Sequence, residues 1–356
     1  MSHKEENVRV GISIGDLNGI GPEVILKCFE DNRMLELCTP VIFGSSKPLS
    51  YIKKNINSNV NFQGIDSLDQ IVTGKLNVLN LWKENVNINF GENDPVVGSY
   101  AIKSFVAATE ALKNDEIDIL ITAPINKYNT QSEEFKHPGH TNYLNEQLEG
   151  NALMLLVSDD LKVGLLTDHL PLKDVAQAIT PQRIEEKVKT IREALMNDFN
   201  IFNPRIAVLG LNPHAGDEGV IGTEEQEIIK PTITKLAEEG ILVSGPFPAD
   251  GFFGSQLYNS FDAVIACYHD QGLAPFKALS FSKGVNYTAG LNKIRTSPDH
   301  GTAYDIAGKN LADPTSFREA LYLALDVFRN RNRNIEAKSN PLVPQEKENN
   351  TKKFDN

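Results

Sequence analysis

Three histidines of this chain stand just past short apolar segments that have the length and composition of buried β-strands. The segments are residues 163–167, 205–211 and 263–267, and the histidines are His169, His214 and His269. Because the carboxyl ends of parallel strands meet at one edge of a sheet, three imidazoles there can bind one divalent cation and leave positions open for a ligand. Taken singly, each histidine would more often be an ordinary hydrogen-bonded polar residue. The shared context predicts a metal site, with nearby aspartates as further ligands or as partners that orient the rings: Asp168, Asp217 and Asp270.

A cation, an amide and a second cation follow the last of these strands at intervals of nine residues. They are Lys277, Asn286 and Arg295, and they stand among glycines and prolines. Lysine and arginine supply positive charge and several N–H donors, which suits a phosphate group. The spacing predicts an anion clamp beside the metal site. The alternative for Lys277 is a salt-bridged surface residue.

Two glycine-containing loops are candidates for holding a nucleotide. Residues 297–303 (SPDHGTA) are too polar for a core and predict such a loop. Residues 15–23 (GDLNGIGPE) follow an alternating strand and precede a helix, for which Pro22 and Glu23 are typical first residues. That earlier loop lacks the G-x-G-x-x-G pattern and the lysine of a P-loop, so a phosphate loop and a plain tight turn are equally compatible with it.

The totals exclude some classes of protein. The chain has 356 residues and a net charge of −12, which argues against a nucleic-acid partner because phosphate backbones require a basic face. An anionic substrate must therefore be held by a local cationic pocket. The three cysteines are an odd set without metal-ligand spacing and fit reduced thiols. The first residues contain no apolar signal region and no segment has transmembrane length, so we expect a soluble cytoplasmic protein.

Apolar strand segments alternate with amphipathic helical segments along the chain. Helical faces recur, for example, over residues 102–112, 184–195 and 317–328, and a helix over 224–239 is expected to kink at Pro231. This alternation predicts a parallel sheet with helices on both faces. The sequence shows no internal repeat and no linker, so we expect two lobes that share a continuous sheet.

Eight motifs occur in order along the chain: GDLNGIGPEV, TAPINK, HPGHT, TDHLPL, LNPHAGDEGVIGTEE, PFPADGFF, YHDQGLAPFK and RTSPDHGTAYDIAGK. Together they resemble the 4-hydroxythreonine-4-phosphate dehydrogenase family of pyridoxal phosphate biosynthesis, and the resemblance extends from Val8 to Arg329. The chain departs from the family at Leu17 and Asn18, where Pro-Ala is usual, and at Gly251, where threonine is common. Neither departure touches the three histidines.

The resemblance implies an α/β fold like that of isocitrate and isopropylmalate dehydrogenases, with parallel or mixed sheets, flanking helices and an active-site cleft between two lobes. The implied nucleotide-side lobe is residues 1–128 plus 288–334, the metal and dimerisation lobe is 129–287, and 335–356 is a disordered tail. It further implies a homodimer in which His169 and His214 of one subunit share a divalent cation (Zn, Mg, Co or Mn) with His269 of the other. NAD, with NADP as the alternative, would be held through the loop residues Asp299, His300, Gly301, Thr302 and Ala303.

The resemblance also implies a substrate and its contacts. The substrate is 4-hydroxy-L-threonine phosphate, oxidised with decarboxylation to 3-amino-2-oxopropyl phosphate and CO₂ in the synthesis of pyridoxal 5'-phosphate. The residues that carry over as substrate contacts are His140, Thr141, Lys277, Asn286 and Arg295. Lys277, with its pKa lowered near the metal, and Asp250 are alternative catalytic bases.

Two other functions are compatible with the residues. A relative of the same fold could oxidise a phosphorylated sugar acid, such as D-threonate or D-erythronate 4-phosphate, with the same metal and phosphate residues. A non-enzymatic protein could hold a structural zinc with the three histidines at a dimer interface. That second alternative would need neither the anion clamp nor the loop at His300–Ala303.

Overall fold

The computed structural model describes residues 8–132, 135–137, 139–280 and 282–339. Twelve strands of this part of the chain form one sheet, in the order β3-β4-β2-β1-β5-β12-β11-β6-β7-β10-β8-β9. The strands are β1 (Arg9–Ser13), β2 (Thr39–Gly44), β3 (Phe62–Ile65), β4 (Leu76–Asn80), β5 (Ile119–Thr122), β6 (Gly150–Val157), β7 (Lys162–Leu165), β8 (Ile206–Leu209), β9 (Val243–Phe247), β10 (Ala263–Ala266), β11 (Val285–Leu291) and β12 (Ile294–Pro298).

Helices flank this sheet. They are α1 (Gly21–Cys28), α2 (Met34–Leu37), α3 (Ser46–Asn55), α4 (Pro95–Lys113), α5 (His140–Gln147), α6 (Leu172–Ala178), α7 (Pro181–Asn197), α8 (Lys230–Glu238), α9 (Ala249–Gly254), α10 (His269–Leu279) and α11 (Thr315–Ser339). The starts of α4 and α7 are set by local chemistry, since each has a proline in its first turn and a preceding side chain, Asp94 or Thr180, that accepts a backbone N–H.

The sheet has two parallel halves joined by an antiparallel centre. Strands β3, β4, β2, β1, β5 and β12 run parallel to their neighbours, as do β7, β10, β8 and β9. Between the halves, β11 pairs antiparallel with both β12 and β6, and β6 pairs antiparallel with β7. The predicted fold class, an α/β protein with a large mixed sheet and flanking helices, is confirmed. The proposed lobe boundaries stay a prediction.

Burial explains why the strand segments read as continuous apolar runs. All residues of β2, β5, β8, β10 and β12 are buried, because helices cover both faces of the sheet. A single core cluster extends from Val10 on β1 to Ile265 on β10. The two halves of the sheet therefore share a hydrophobic core.

Two helices differ in detail from the sequence-based expectation. In place of the expected helix over 224–239, the structure has a π-helical turn at Glu225–Ile229 followed by α8. Pro231 lies in the first turn of α8, where the helix does not use the backbone N–H that proline lacks. Helix α11 continues to Ser339 and so includes residues 335–339 of the segment predicted to be disordered. Residues 340–356 of that segment lie outside the described residues. No helix in the described ranges has the length and apolarity needed to cross a membrane.

Candidate active site

A cleft of about 860 Å³ lies where the carboxyl ends of β5, β7, β10 and β12 meet. This is the edge at which open α/β sheets bind ligands. The cleft brings together many of the side chains singled out in the sequence, which are His140, Thr141, His169, His269, Lys277, Asn286, Arg295, Asp299, His300 and Gly301. Four of the predicted site residues do not line it, namely His214, Asp250, Thr302 and Ala303.

Arg295, on β12, is the buried cation of this cleft. It is only 3% exposed, and its guanidinium donates to the hydroxyls of Thr122 (Nε 3.1 Å, Nη2 2.5 Å) and Thr288 (Nη1 3.2 Å). Within the described ranges no carboxylate forms an ion pair with it. Burial lowers its pKa to about 9, so it remains a cation at neutral pH. A buried charge of this kind is stabilised when a ligand supplies the opposite charge.

His140, the first residue of α5, is the neighbour of Arg295. Its Nδ1 atom lies 3.3 Å from Arg295 Nη2, and because arginine only donates, Nδ1 must accept and the proton must reside on Nε2. Nε2 is buried and has no hydrogen-bond partner among the residues that the structure describes. Burial, then the charges of Arg295 and Lys127, lower the pKa of His140 well below its usual value. The ring is therefore a neutral N–H donor beside a cation.

Lys277 and Asn286 stand on the same cleft. Lys277 Nζ, on α10, lies 3.5 Å from Asp299 Oδ1 and donates to the Asp299 backbone oxygen at 3.3 Å. The Asp299 carboxyl has a raised pKa because it is buried, although Lys277 opposes the shift. Asn286 Oδ1, on β11, is buried and finds no hydrogen-bond partner in the described part of the chain. Together with Arg295 and His140, these residues give the cleft cationic and polar groups that suit an anion.

Two of the three predicted metal ligands come together within one chain. The rings of His169 and His269 have their centroids 5.8 Å apart, because β7 and β10 are adjacent parallel strands. His269 Nδ1 is 2.7 Å from Asp270 Oδ1, which orients the ring. Burial lowers the pKa of His169 and so favours the neutral imidazole that binds metals.

His214 lies outside the cleft. It is exposed and starts a run of left-handed backbone within Pro213–Gly219, with φ of 54° at His214 itself. Accordingly, no cluster of three or more histidine, cysteine or acidic side chains suited to a metal occurs within a single chain over the described ranges. The pair that lies together is His169 with His269, whereas the resemblance implied His169 with His214. A three-histidine site would need His214 from another copy, and it stays a prediction.

Asp250, the second candidate base, lies on α9 away from the cleft. Its side chain is exposed, and it is absent from the cleft wall of its own chain. Lys277 is the candidate base that the cleft contains. A catalytic role for either residue stays a prediction.

The predicted nucleotide loop divides into two parts. Asp299, His300 and Gly301 face the cleft, and the Nε2 atom of His300 is buried with no hydrogen-bond partner over the described ranges. A methyl group added at Gly301 would meet open space. Thr302 turns away, and its backbone oxygen accepts the N–H of Ile20 at 3.0 Å.

The first glycine-rich loop, residues 15–23, contacts Thr302 in the second part of the predicted nucleotide loop. It does not line the cleft. Gly15 has a φ of +71°, and a side chain at Gly19 would approach Thr302 O at 2.8 Å. The loop therefore acts as a tight turn, the alternative to a phosphate loop. Asn18, one of the two departures from the family pattern here, is fully buried. It accepts from Asn89 N and donates to Glu92 O, both at 2.9 Å.

Several residues that build the site were missed in the sequence. Thr122 ends β5 inside the TAPINK motif, so its place at a strand end was an available signal. Asp16, Asn129 and Tyr304 were missed because their partners are distant in sequence. Thr288 is close to Arg295 in sequence, but their contact depends on the pairing of β11 with β12.

The sheet, its flanking helices and the cleft at the strand ends define a dehydrogenase-like α/β protein. The chain belongs to the family described as pyridoxal phosphate biosynthetic protein PdxA, whose profile matches residues 36–324. It is 51% identical over 344 residues to a protein of Bacteroides thetaiotaomicron named 4-hydroxythreonine-4-phosphate dehydrogenase, covering 96% of this chain and 94% of that one. A protein of Oceanobacillus iheyensis that is 39% identical over 323 residues, 89% of this chain and 97% of that one, is predicted to be a D-threonate 4-phosphate dehydrogenase.

Solved structures agree with this assignment. The crystal structure of 4-hydroxythreonine-4-phosphate dehydrogenase from Klebsiella pneumoniae superposes with a TM-score of 0.77 at 32% identity, covering 92% of this chain and 99% of that one. A terephthalate 1,2-cis-dihydrodioldehydrogenase from Burkholderia xenovorans, at 23% identity and a TM-score of 0.59, covers 90% and 98% and shares the fold.

Proposed function

We propose that the chain oxidises 4-hydroxy-L-threonine phosphate with NAD and releases CO₂, yielding 3-amino-2-oxopropyl phosphate for pyridoxal 5'-phosphate synthesis. The observation that carries the proposal is the buried cation of Arg295, which has no carboxylate partner in the described part of the chain and lies in a cleft at the strand ends. A substrate phosphate would supply the missing negative charge. The names of the B. thetaiotaomicron and K. pneumoniae relatives support this choice of substrate.

The phosphate contacts follow from the donors that the cleft leaves free. Arg295 would contribute its charge and the neutral His140 ring its Nε2–H, which the protein leaves unpartnered. Lys277 is half exposed at the cleft wall and would donate to the phosphate from its amine. Charge-assisted hydrogen bonds of this type are about twice as strong as neutral ones, so a few contacts suffice for a protein of net charge −12.

The oxidation moves the C3 hydrogen of the substrate to NAD as hydride, while the C3 hydroxyl proton goes to a base. The resulting β-keto acid loses its carboxylate as CO₂ when the C1–C2 bond breaks, and C2 then takes up a proton. Lys277 is the proposed base, since it lies in the cleft and is held by Asp299.

The histidines fit a divalent cation, which the family resemblance implies. His169 and His269 would bind it from one subunit of a homodimer, and His214 of the second subunit would complete the set. The neutral form of His169, favoured by burial, is the form that a metal requires. When bound, a divalent cation would supply positive charge beside the C3 hydroxyl oxygen, while C3 itself is oxidised. The candidate cations are Zn, Mg, Co and Mn.

NAD, with NADP as the alternative, is proposed to lie against Asp299, His300 and Gly301. His300 Nδ1 is 3.1 Å from Gly301 O, which places the proton on Nδ1 and leaves the buried Nε2 as an acceptor. Open space beside Gly301 leaves room for a bulky group. A ligand hydroxyl or amide would satisfy Nε2.

The alternative function is oxidation of D-threonate 4-phosphate, which the O. iheyensis relative supports. The two substrates share the phosphate and differ at C2, where one carries an ammonium group and the other a hydroxyl. Incubating purified protein with NAD, a divalent cation and each compound in turn, and following NADH absorbance, distinguishes them. Faster turnover of the hydroxythreonine phosphate is expected, and NADH from neither compound would contradict both assignments.

A further inference from the structure

Each described group that accepts a hydrogen bond from Arg295 is electrically neutral. The acceptors are the hydroxyl of Thr122 on β5, the hydroxyl of Thr288 on β11 and the Nδ1 atom of His140. Since β12 lies between β5 and β11, the two threonines accept hydrogen bonds from the guanidinium on either side of it. Thr122 and Thr288 are themselves fully buried. The guanidinium is thus fixed by hydrogen bonds but not neutralised.

These contacts occupy most of the guanidinium's hydrogens. Nε and one Nη2 hydrogen go to Thr122, the other Nη2 hydrogen goes to His140, and one Nη1 hydrogen goes to Thr288. Of the five N–H groups that an arginine has, one on Nη1 remains. What Arg295 offers a ligand is therefore chiefly its fixed charge and one hydrogen.

A second arginine that points inward, Arg331, has a charged partner in place of neutral ones. Arg331, on α11, lies 2.6 Å from Asp198 Oδ1, and Tyr287 adds a hydroxyl at 3.1 Å from Nη2. Burial opposes the shift, but Tyr287 and Asp198 together raise the pKa of Arg331, whereas burial lowers the pKa of Arg295. Arg331, outside the cleft, thus has an acidic partner that Arg295 lacks within the described ranges.

We propose that Thr122 and Thr288 are positioning residues whose neutrality sets the anion affinity of the cleft: they orient Arg295 and leave its charge for the ligand. This rests on the proposed function in so far as the ligand is a substrate phosphate. Thr288 does not line the cleft, so it acts through Arg295 alone. A carboxylate at either position would compete with the ligand for the same cation.

The test compares Thr288→Asp with Thr288→Asn. The two replacements have nearly the same shape and differ in charge, so their difference isolates electrostatics from packing. Inorganic phosphate is the probe, titrated into each dimeric protein and followed by phosphorus NMR line width or calorimetry. We expect Thr288→Asp to bind phosphate about tenfold or more weakly than Thr288→Asn, and to melt at a higher temperature because Arg295 gains a partner. Equal phosphate affinity in the two variants would overturn the proposal.

A second pair of variants keeps the test decisive if Thr288→Asp does not fold. Thr122→Ser retains the hydroxyl that accepts from Nε and Nη2, and Thr122→Val removes it at nearly constant volume. We expect Thr122→Ser to bind phosphate within about twofold of the unmodified protein and Thr122→Val to bind it about fivefold or more weakly. Equal affinity of the serine and valine variants would refute a positioning role for Thr122.

These measurements distinguish a failure of the positioning role from a failure of the proposed function. Phosphate affinity is measured without NAD or a hydroxy acid, so the charge argument stands or fails on it alone. NADH formation by the unmodified protein tests the reaction. A protein that makes no NADH but loses phosphate affinity in Thr288→Asp would retain the positioning role and lose the assigned substrate.

Discussion

The hydroxyl of Tyr304 donates a 2.6 Å hydrogen bond to the carboxylate of Asp16, which is fully buried in the first glycine-rich loop. Asn129 donates to the same oxygen at 2.8 Å. Burial, with the Asp16 hydrogen bond, raises the pKa of Tyr304, so its phenol stays protonated and remains a donor. One carboxylate therefore ties together the first loop, the segment after β5 and the segment that follows the proposed nucleotide loop.

Removing the hydrogen bond between Tyr304 and Asp16 should loosen the proposed nucleotide loop. We expect Tyr304→Phe to raise the KM for NAD several-fold, to leave the KM for the phosphorylated substrate nearly unchanged, and to cost about 1 kcal/mol of unfolding free energy. Steady-state kinetics with each substrate varied in turn is the measurement. Tyr322→Phe is the matched control, since that hydroxyl contacts Met34 Sδ at 3.4 Å away from the cleft. A selective rise in the KM for the phosphorylated substrate would contradict this assignment.

Mixing inactive subunits tests how the metal ligands are shared. If His169 and His269 act from one subunit and His214 from the other, then mixed dimers of His214→Ala and His269→Ala contain one intact site. A random mixture should regain about a quarter of the unmodified activity, because half of the dimers are mixed and each has one site of two.

The companion mixture distinguishes the two arrangements of ligands. Mixed dimers of His169→Ala and His269→Ala contain no intact site when those residues serve the same site, so we expect no recovery. Recovery in this second mixture would instead support the sharing that the family resemblance implied, with His269 acting across the interface. Metal content of each mixture, by mass spectrometry, gives a readout besides activity.

The buried charge of Arg295 is expected to favour binding of the phosphorylated substrate and to lower the stability of the fold. Arg295→Ala should lower kcat/KM for the phosphorylated substrate by about 10²-fold or more, corresponding to ~3 kcal/mol for a charge-assisted contact, and should scarcely affect turnover of the unphosphorylated hydroxy amino acid. Arg295→Met, which removes the buried charge and keeps most of the volume, should leave the melting temperature equal or higher. Equal losses with both substrates would show that Arg295 contacts another group or supports the fold.

The Asp198–Arg331 ion pair should matter for stability only. Asp198 is 4% exposed, and its loss leaves Arg331 without its charge partner, so Asp198→Asn should cost about 3 kcal/mol of unfolding free energy. The pair joins α11 to the end of α7, far from the cleft wall. Urea unfolding measures the cost, and kcat should stay unchanged. As a control, Asp326→Asn breaks the exposed Asp326–Arg329 pair and should cost little.

His140 should make the protein less stable in acid. Its folded-state pKa is depressed, mainly by burial, so between that pKa and the unfolded value near 6.5 the unfolded chain binds the extra proton. Stability is then fully present above about pH 6.5 and falls as the pH drops below it. We expect His140→Gln to lose less unfolding free energy between pH 7.5 and pH 5.5 than the unmodified protein, measured by urea titration. An identical loss would mean that His140 titrates normally.

The fold and much of the cleft were predictable because their signals are local. Buried parallel strands appear as short apolar runs, and the polar residues after each run fall at one edge of the sheet, which is why His169 and His269 meet in the cleft. The weakly patterned residues 45–98 concealed α3, β3 and β4, which lie toward one end of the sheet. Nothing in the local sequence indicates that the last two strands occupy the middle of the sheet.

The arrangement around the predicted residues was not predictable in the same way. The hydrogen bonds from Arg295 to neutral acceptors involve Thr122, which precedes it by 173 positions, and depend on the pairing of β12 with two neighbouring strands. The position of His214 depends on a left-handed backbone from His214 to Glu218, four of whose five residues are not glycine. Such a conformation is uncommon outside glycine, so composition alone does not reveal it.

The placement of β11 and β12 has a consequence for how the molecule is made. They are the last strands to be synthesised, yet they fill the gap between β5 and β6. Until residue 298 has been translated, β5 and β6 present unpaired edges, the type of surface on which nascent chains aggregate. Arg295, the arginine proposed to bind the anion, arrives with the strand that closes this gap. On that proposal an unfinished chain cannot capture the ligand, and binding competence is acquired in the same step that protects the sheet from misassembly.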